Sequence, residues 1–422
     1  MGKRQGTALA VLISALLLFS LAAEAETIDP GATLTLERCI AIALAANPDL
    51  AAEEAGVGGA EAIVDQKRAP LKPSVGLSST HSRGEGSDTT RADLSVRQLL
   101  TDGGKSQKAL EAARAGLDEA KSAVAWARIG LIYDVQSAFY ELLRRRWDLQ
   151  TARESLTLYE TQLRQAEATY DAGLAPKSDV TAARVDLGQA RLELTRAQAN
   201  LALARSALEK LLAVEAAPDY DIAEPEAPPR TGFDEESALK QALSLRPDLR
   251  ARREALRAAE LNRTVAAKGM AGELSASGGY DWSDGDDGQW RTSLTLSLPL
   301  ADGGLTDARV REAEASVERA KAREASLRLA VIHEVRQALL SLAEALENRN
   351  TTELNLTQAK ENLDLAQGRY AVGVGSSLEI SQAAEAYSRA LKDRNQALYD
   401  HHLALAGLEK ATASSISSEG GR

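Results

Sequence analysis

The sequence predicts a mixed, mainly α fold in which long coiled-coil helices are joined to four membrane-crossing β-strands, a set that one chain cannot close by itself. Three observations predict it: a unit of about 200 residues written twice, a hydrophobic period of two near 73–99 and 273–299, and a period of seven over 105–172 that 305–372 keeps less strictly, with Glu324 and Arg349 on its seam. Composition agrees. Of 422 residues 44% are hydrophobic but only 4% aromatic, and Ala is the commonest at 78, which suits long packed helices rather than one thick core.

The doubling is read from short matches. Asn47-Pro48-Asp49-Leu50 returns 199 residues on as Arg246-Pro247-Asp248-Leu249, and Asp102-Gly103-Gly104 returns after 200 as Asp302-Gly303-Gly304. Tyr170-Asp171-Ala172-Gly173-Leu174 is matched by Tyr370-Ala371-Val372-Gly373-Val374, and Leu208-Glu209-Lys210 by Leu408-Glu409-Lys410, both at 200. Ahead of the first copy, Lys3 and Arg4, the apolar run Ala8 to Ala23 and the small-x-small site Ala23-Glu24-Ala25 make residues 1–25 a signal peptide. The copies then span 26–216 and 233–412, joined by a Pro-rich connector over 217–232 and followed by a polar, flexible tail over 413–422.

Each copy opens with a helix broken at Asn47-Pro48 or Arg246-Pro247 and running to about Lys67 or Lys268. Next comes a hairpin, at about 73–99 or 273–299, whose turn is rich in Gly and Asp. Strands of about ten residues with one apolar and one polar face are what a tilted membrane crossing needs, apolar toward lipid and polar toward a watery lumen. The alternation assigns Arg91, Asp93, Arg97, Glu273, Asp281 and Arg291 to the lumen, and Leu94, Val96, Tyr280, Trp282, Trp290, Leu294, Leu296 and Leu298 to the lipid. Tyr280, Trp282 and Trp290 supply an aromatic girdle on the second hairpin; the first offers none. Four strands leave open edges, and unpaired backbone groups in lipid cost several kcal/mol each, so chains must pool their strands: two chains give eight, three give twelve.

The long helices follow, about 105–172 and 305–372. Leu110, Leu117, Val124 and Leu131 recur every seven residues, as do Leu142, Leu149, Leu156, Leu163 and Tyr170, with a step of eleven between the sets: a coiled-coil seam with a stutter. Return helices, about 179–212 and 379–411, carry Ala at 183, 190, 197, 204 and at 383, 390, 397, 404, a methyl seam for close packing.

This ordered set, twice over and across the whole mature chain, resembles the TolC-like outer membrane efflux proteins. The resemblance rests on the doubled helix-hairpin-helix unit, Asn47-Pro48, the two Asp-Gly-Gly triplets after the hairpins and the Tyr-x-x-Gly turns at Tyr170 and Tyr370. It implies a homotrimer in the bacterial outer membrane, extending into the periplasm: a long coiled-coil α-helical barrel of twelve helices joined to a transmembrane β-barrel, four strands per protomer. Twelve helices about 10 Å apart enclose an open bore of roughly 25 to 30 Å. The function implied is a passive exit duct of a tripartite efflux system, loaded by an inner-membrane pump through a periplasmic adaptor. The same duct could serve type I protein secretion. A soluble periplasmic coiled-coil scaffold, the reading from another class, explains the helices but not the hairpins.

By that resemblance the periplasmic gate and tip comprise Tyr170, Gly173, Leu174 and Asp179 with Tyr370, Gly373, Val374 and Glu379, the apolar residues docking the adaptor and Glu379 lining the closed entrance. Two departures stand out: Gln382 where a second acidic ring is expected, and Gly375 where some members carry an Arg that helps Tyr370 hold the gate.

Other chemistries fare badly. Four His and one Cys make metal and thiol chemistry poor expectations, and no cofactor motif is present. A net charge of −11 without a basic aromatic patch argues against nucleic acid. Gly104-Lys105-Ser106 resembles the end of a phosphate-binding loop, but Leu99 stands where that loop needs its first Gly. No enzymatic site is expected.

Overall fold

Local chemistry sets the element boundaries in the computed structural model, which describes residues 31–84, 87–215, 219–225, 234–283, 286–372 and 374–414. Residues 1–30, among them the expected signal peptide, Gly373, most of the connector and the residues beyond Ser414 lie outside the described residues. Strand β1 (Thr33–Leu34) leads into helix α1 (Leu36–Ala46), whose first turn is capped by the Thr35 hydroxyl accepting from Arg38 N at 3.3 Å. Asn47 ends α1 in an extended conformation and starts α2 (Pro48–Arg68): Pro48 has no N–H to lose at the first helical position, and Asn47 Oδ1 accepts from Asp49 N and Leu50 N.

A short 3₁₀ turn, Ala69–Leu71, delivers the chain to the hairpin of β2 (Ser74–Gly84) and β3 (Ser87–Thr101). Helix α3 (Lys105–Asp171) and the return helix α4 (Lys177–Leu211) complete the first copy. The second repeats the order after β4 (Asp221–Ile222): α5 (Glu235–Leu245), α6 (Pro247–Ala267), β5 (Glu273–Ser283), β6 (Asp286–Ser297), α7 (Leu305–Ala371) and α8 (Ser377–Thr412). Helices α3 and α7 have 67 residues each, about 100 Å at 1.5 Å per residue. Among the described residues no helix is long and apolar enough to cross a membrane.

The Asp-Gly-Gly triplets turn strand into helix. Gly103 and Gly104 sit at φ of +67° and +80°, Gly303 and Gly304 at +65° and +86°, a left-handed path that L side chains resist. The preceding carboxylate reaches over this turn to the new helix: Asp102 Oδ2 accepts from Ser106 N and Asp302 Oδ2 from Thr306 N, each at 2.7 Å. Burial opposes ionisation of Asp102, but hydrogen bonds from Ser106, Lys105 and Gly104 outweigh it and hold the carboxyl below its usual range.

The two hairpins join into one antiparallel sheet of order β2-β3-β5-β6, so β2 and β6 are its edges. The helices follow the same order. Beside the sheet, α3 and α6 pack together, with α2 outside α3 and α7 outside α6; further down, α3 packs on α8, with α4 outside α3 and α7 outside α8. The core is strung along these seams. Its thickest part lies where α1 crosses α3 and α4, with Cys39, Val135, Phe139, Leu143, Leu208 and Leu212 fully or nearly fully buried. Burial pushes the Cys39 thiol up to about 12, with Glu37 adding to the shift, so this thiol is an inert packing residue. Of the Ala seam, Ala190, Ala204, Ala383, Ala390 and Ala397 are buried.

Candidate functional site

The sheet carries its chemistry by register. Leu94 pairs with Tyr280 and Tyr280 with Trp290, Ala92 with Trp282, Ala276 with Leu294 and Leu274 with Leu296; these residues and Val96 share one face. On the other face Asp93 pairs with Asp281 and Arg97 with Ser277, in the same alternation as Arg91, Glu273 and Arg291, and Arg291 Nη2 meets Asp281 Oδ2 at 2.7 Å. Several positions depart from strict alternation, and toward the hairpin turn Ser79, His81 and Thr90 share the face of Ala92 and Leu94. Leu298 lies one residue beyond β6, because Pro299 has no N–H to continue the ladder. At the foot of β3, Gln98 falls on the apolar face and Leu99 on the polar one, just before a register shift between Leu99 and Thr101; the Gln98 amide there donates to the carbonyls of Leu71 and Leu99.

At the far end of the long helices the two repeats build different turns. Gly173 sits at φ +75°, its N–H donating to Tyr170 O and that of Leu174 to Thr169 O, both at 2.9 Å, which leaves Leu174 82% exposed beside the exposed Tyr170. In the second repeat Val374 N and Gly375 N both donate to Arg369 O at 3.0 Å. A Cβ on Gly375 would stand 2.9 Å from Tyr370 N and 3.0 Å from the Cβ of Arg369, so the last turn of α7 leaves this residue no room for a side chain. Val374 is exposed, whereas Tyr370 packs on the apolar cluster of Leu363, Ala366, Ile380, Ala383 and Ala384, its hydroxyl 3.4 Å from Thr169 Oγ1.

Both acids begin a return helix, where a carboxylate suits the helix dipole. Asp179 borders a cavity of about 330 Å³ between the two tips, shared with Gln162, Asp186 and Tyr370. Glu379 donates its N–H to the Ser376 hydroxyl at 3.2 Å, and its carboxylate lies 3.4 Å from Arg369 of the same chain. Both members of that pair are largely solvated, so it is worth under about 1 kcal/mol. It nevertheless gives Glu379 a neighbouring cation that the motif alone does not reveal.

Sequence reasoning also missed a polar seam between the repeats. Along it, Gln136 donates to Glu409 at 3.3 Å, Arg144 to Gln396 at 2.6 Å, and the buried Asn395 amide to Asp148 at 3.3 Å; Ser155 meets Ser388 at 3.1 Å and Lys392 reaches Glu193 at 3.0 Å. Ser381 donates to Asp186 nearer the tips. The hydrogen bond from Lys392, helped by Arg196, holds the Glu193 carboxyl below its ordinary value. The one available signal was Asn395 standing among the Ala of α8.

The flanks are the reverse. Large exposed apolar side chains run down α4 at Val185, Leu192 and Leu203, and down α7 at Leu329, Leu340, Leu354 and Leu365, while the interior helices α3 and α8 show one only near their tips. The steps along each stripe are seven, eleven or fourteen residues, which keeps them on one face of a nearly straight helix.

The family model for "Outer membrane efflux protein" matches residues 39–214 and again 238–414. Protein CyaE of Bordetella pertussis is 30% identical over 368 residues, covering 83% of this chain and 78% of that one. Outer membrane protein TolC of Vibrio cholerae is 23% identical, covering 86% and 87%. Among solved structures, CusC superposes with a TM-score of 0.81 at 20% identity over 90% of this chain and 92% of its own.

Proposed function

The chain belongs to the outer membrane efflux protein family, and from that premise we propose that three copies close on their free flanks into one passive duct from periplasm to exterior. One observation carries the reading: the protomer is unfinished in the same sense at every level. Strands β2 and β6 are unpaired edges, α2 and α7 flank the upper helices, and α4 and α7 flank the lower ones with apolar stripes facing outward. One rotation that sets β6 against β2 of the next copy also sets α7 against α2 and α4. Seven large side chains on the lower stripes, at about 1.5 kcal/mol or more each when buried, supply on the order of 10 kcal/mol of apolar driving force per interface before association costs.

In this assembly the face bearing Arg91, Asp93, Arg97, Glu273, Asp281 and Arg291 lines the lumen, and that bearing Leu94, Val96, Tyr280, Trp282, Trp290, Leu294 and Leu296 meets lipid. The tips, with Tyr170, Gly173, Leu174, Gly373 and Val374, meet the periplasmic adaptor through which an inner-membrane pump delivers cargo. Asp179, Tyr370 and Glu379 form the gate. The Gly375 backbone, which admits no side chain, leaves Arg369 as the cation beside the gate acid.

Purified protein in planar lipid bilayers tests the reading. Discrete conductance steps are expected, with cation preference lowered by Glu379→Gln and raised by Arg369→Gln. Protein that fractionates with the outer membrane yet gives no steps would overturn the duct; unchanged preference in both variants would remove these residues from the gate.

A further inference from the structure

Where the sheet meets the helices, its polar face ends in an open concavity of about 580 Å³ whose charge opposes that of the whole chain. Four cationic side chains from four segments line it: Lys72 ahead of β2, Arg97 on β3, Lys105 at the start of α3 and Lys268 just past α6. Two carboxylates share the wall, Asp102 and Glu273. Asp102 is already engaged by the backbone of α3, its Oδ2 accepting from Ser106 N at 2.7 Å. Among the described residues none of the four cations forms an ion pair, so their charge stays available to a ligand.

The Asp-Gly-Gly turn helps to build the pocket. Gly103 lies so close to Ala271 that a Cβ would come within 2.7 Å of the Ala271 Cβ, and its carbonyl accepts a hydrogen bond from the Lys268 ammonium. The turn thus fixes one cation at the corner, while Arg97 is fixed by the sheet, paired with Ser74 on one side and Ser277 on the other. Cations gathered on the walls of a concavity focus a positive potential there, and a guanidinium offers a fork that suits phosphate or carboxylate oxygens.

We propose that this corner binds anionic groups, phosphate or carboxylate, so that each chain contributes one anion station between the helical and strand parts of the duct. Its lumenal position rests on the duct reading; the binding chemistry does not. The lumen then changes sign along its length, from the acids at the tips to a basic collar at the foot of the sheet, and solutes carrying phosphate or carboxylate would pause at the collar.

Calorimetric titration of inorganic pyrophosphate into the full-length protein in detergent at low salt tests this directly. The expected result is one saturable site per chain that weakens as salt rises, with affinity about tenfold lower in Lys72→Gln/Arg97→Gln and unchanged in Lys360→Gln on α7. Should the double variant fail to fold, Lys72→Gln alone, at an exposed position outside any helix or strand, is expected to weaken binding about threefold. No saturable binding by the unaltered protein, or equal affinity in the collar variants, would overturn the proposal. A protein that conducts but binds no pyrophosphate defeats the collar alone; one that binds it but never conducts defeats the duct alone.

Discussion

The two repeats hold the same joint with different chemistry. In the first, Asn47 caps α2 with its carbonyl oxygen and donates its amide to Leu211 O at 3.2 Å. In the second, Arg246 occupies that place and donates to Ala411 O at 3.3 Å, a carbonyl 200 residues beyond the first. An Arg has no acceptor with which to cap a helix, so its interactions differ. Its guanidinium, only 2% exposed as a residue, meets Asp248 at 2.6 Å and Glu334 at 2.6 Å and lies 4.4 Å from the centre of the Trp126 ring. Burial works against the cation, but the two carboxylates more than offset it and push the Arg246 pKa up.

The surroundings explain the exchange. Around Asn47 the first repeat has Phe139, Leu143, Leu208, Leu212 and Tyr220 in one apolar cluster. At the corresponding level the second has Ala238, Ala242, Leu249, Val331, Val335 and Ala411, a thinner cluster, and Thr412 stands where Leu212 stood. Arg246 bridges helices that the second repeat lacks the apolar volume to join. A duplicated backbone has been kept while one copy is held by packing and the other by buried charge.

Removing the charge should separate the copies most. Arg246→Leu is expected to lower stability by about 3 to 5 kcal/mol, because it strips a buried pair of one partner; urea unfolding in detergent measures it, and a loss under about 1 kcal/mol would mean the network is incidental. Acid provides the next largest contrast. His402 stacks on Tyr140 at 4.5 Å, where the first repeat has Ala202, and burial, with His401 and Arg349 nearby, lowers its pKa from 6.5 to about 4. The folded form therefore favours neutral His402, so its stability is fully present above pH 6.5 and falls as pH drops toward 4, by roughly 3 kcal/mol in all. His402→Ala should flatten stability over that window, and an unchanged slope would contradict the assignment.

Asn47→Ala should cost about 1 to 2 kcal/mol, the value of a helix cap, well below its Arg counterpart. The smallest effect is at the tips. Gly173→Ala meets no atom within 4 Å but forces a positive φ, costing about 1 kcal/mol. Gly375→Ala meets the backbone of α7 and should shift the tip as well as destabilise it, which hydrogen exchange at Tyr370 and Val374 would register.

What could be read from the sequence was whatever repeats locally. A period of two placed the hairpins because Leu94, Tyr280 and Trp290 alternate with charged neighbours, and a period of seven placed the long helices because Leu110, Val124 and Leu131 face a partner helix. The polar seam escaped because Gln136 and Glu409 are 273 positions apart and obey no local period. Arg246 could be seen as a variant of Asn47, yet its meaning lies in Trp126 and Glu334 on other helices. Gly375 invited a reading as a missing Arg; the structure gives the steric reason, the backbone of Tyr370 2.9 Å from any Cβ.

In the proposed duct the flanks left open in every tier close on two further copies. Native mass measurement of the protein extracted from outer membranes in mild detergent tests it most directly. The expected result is an assembly of three chains, reduced to single chains by Leu203→Asp with Leu340→Asp on the exposed stripes of α4 and α7. A wild-type protein that runs as one or two chains, or a variant that stays a trimer, would contradict it.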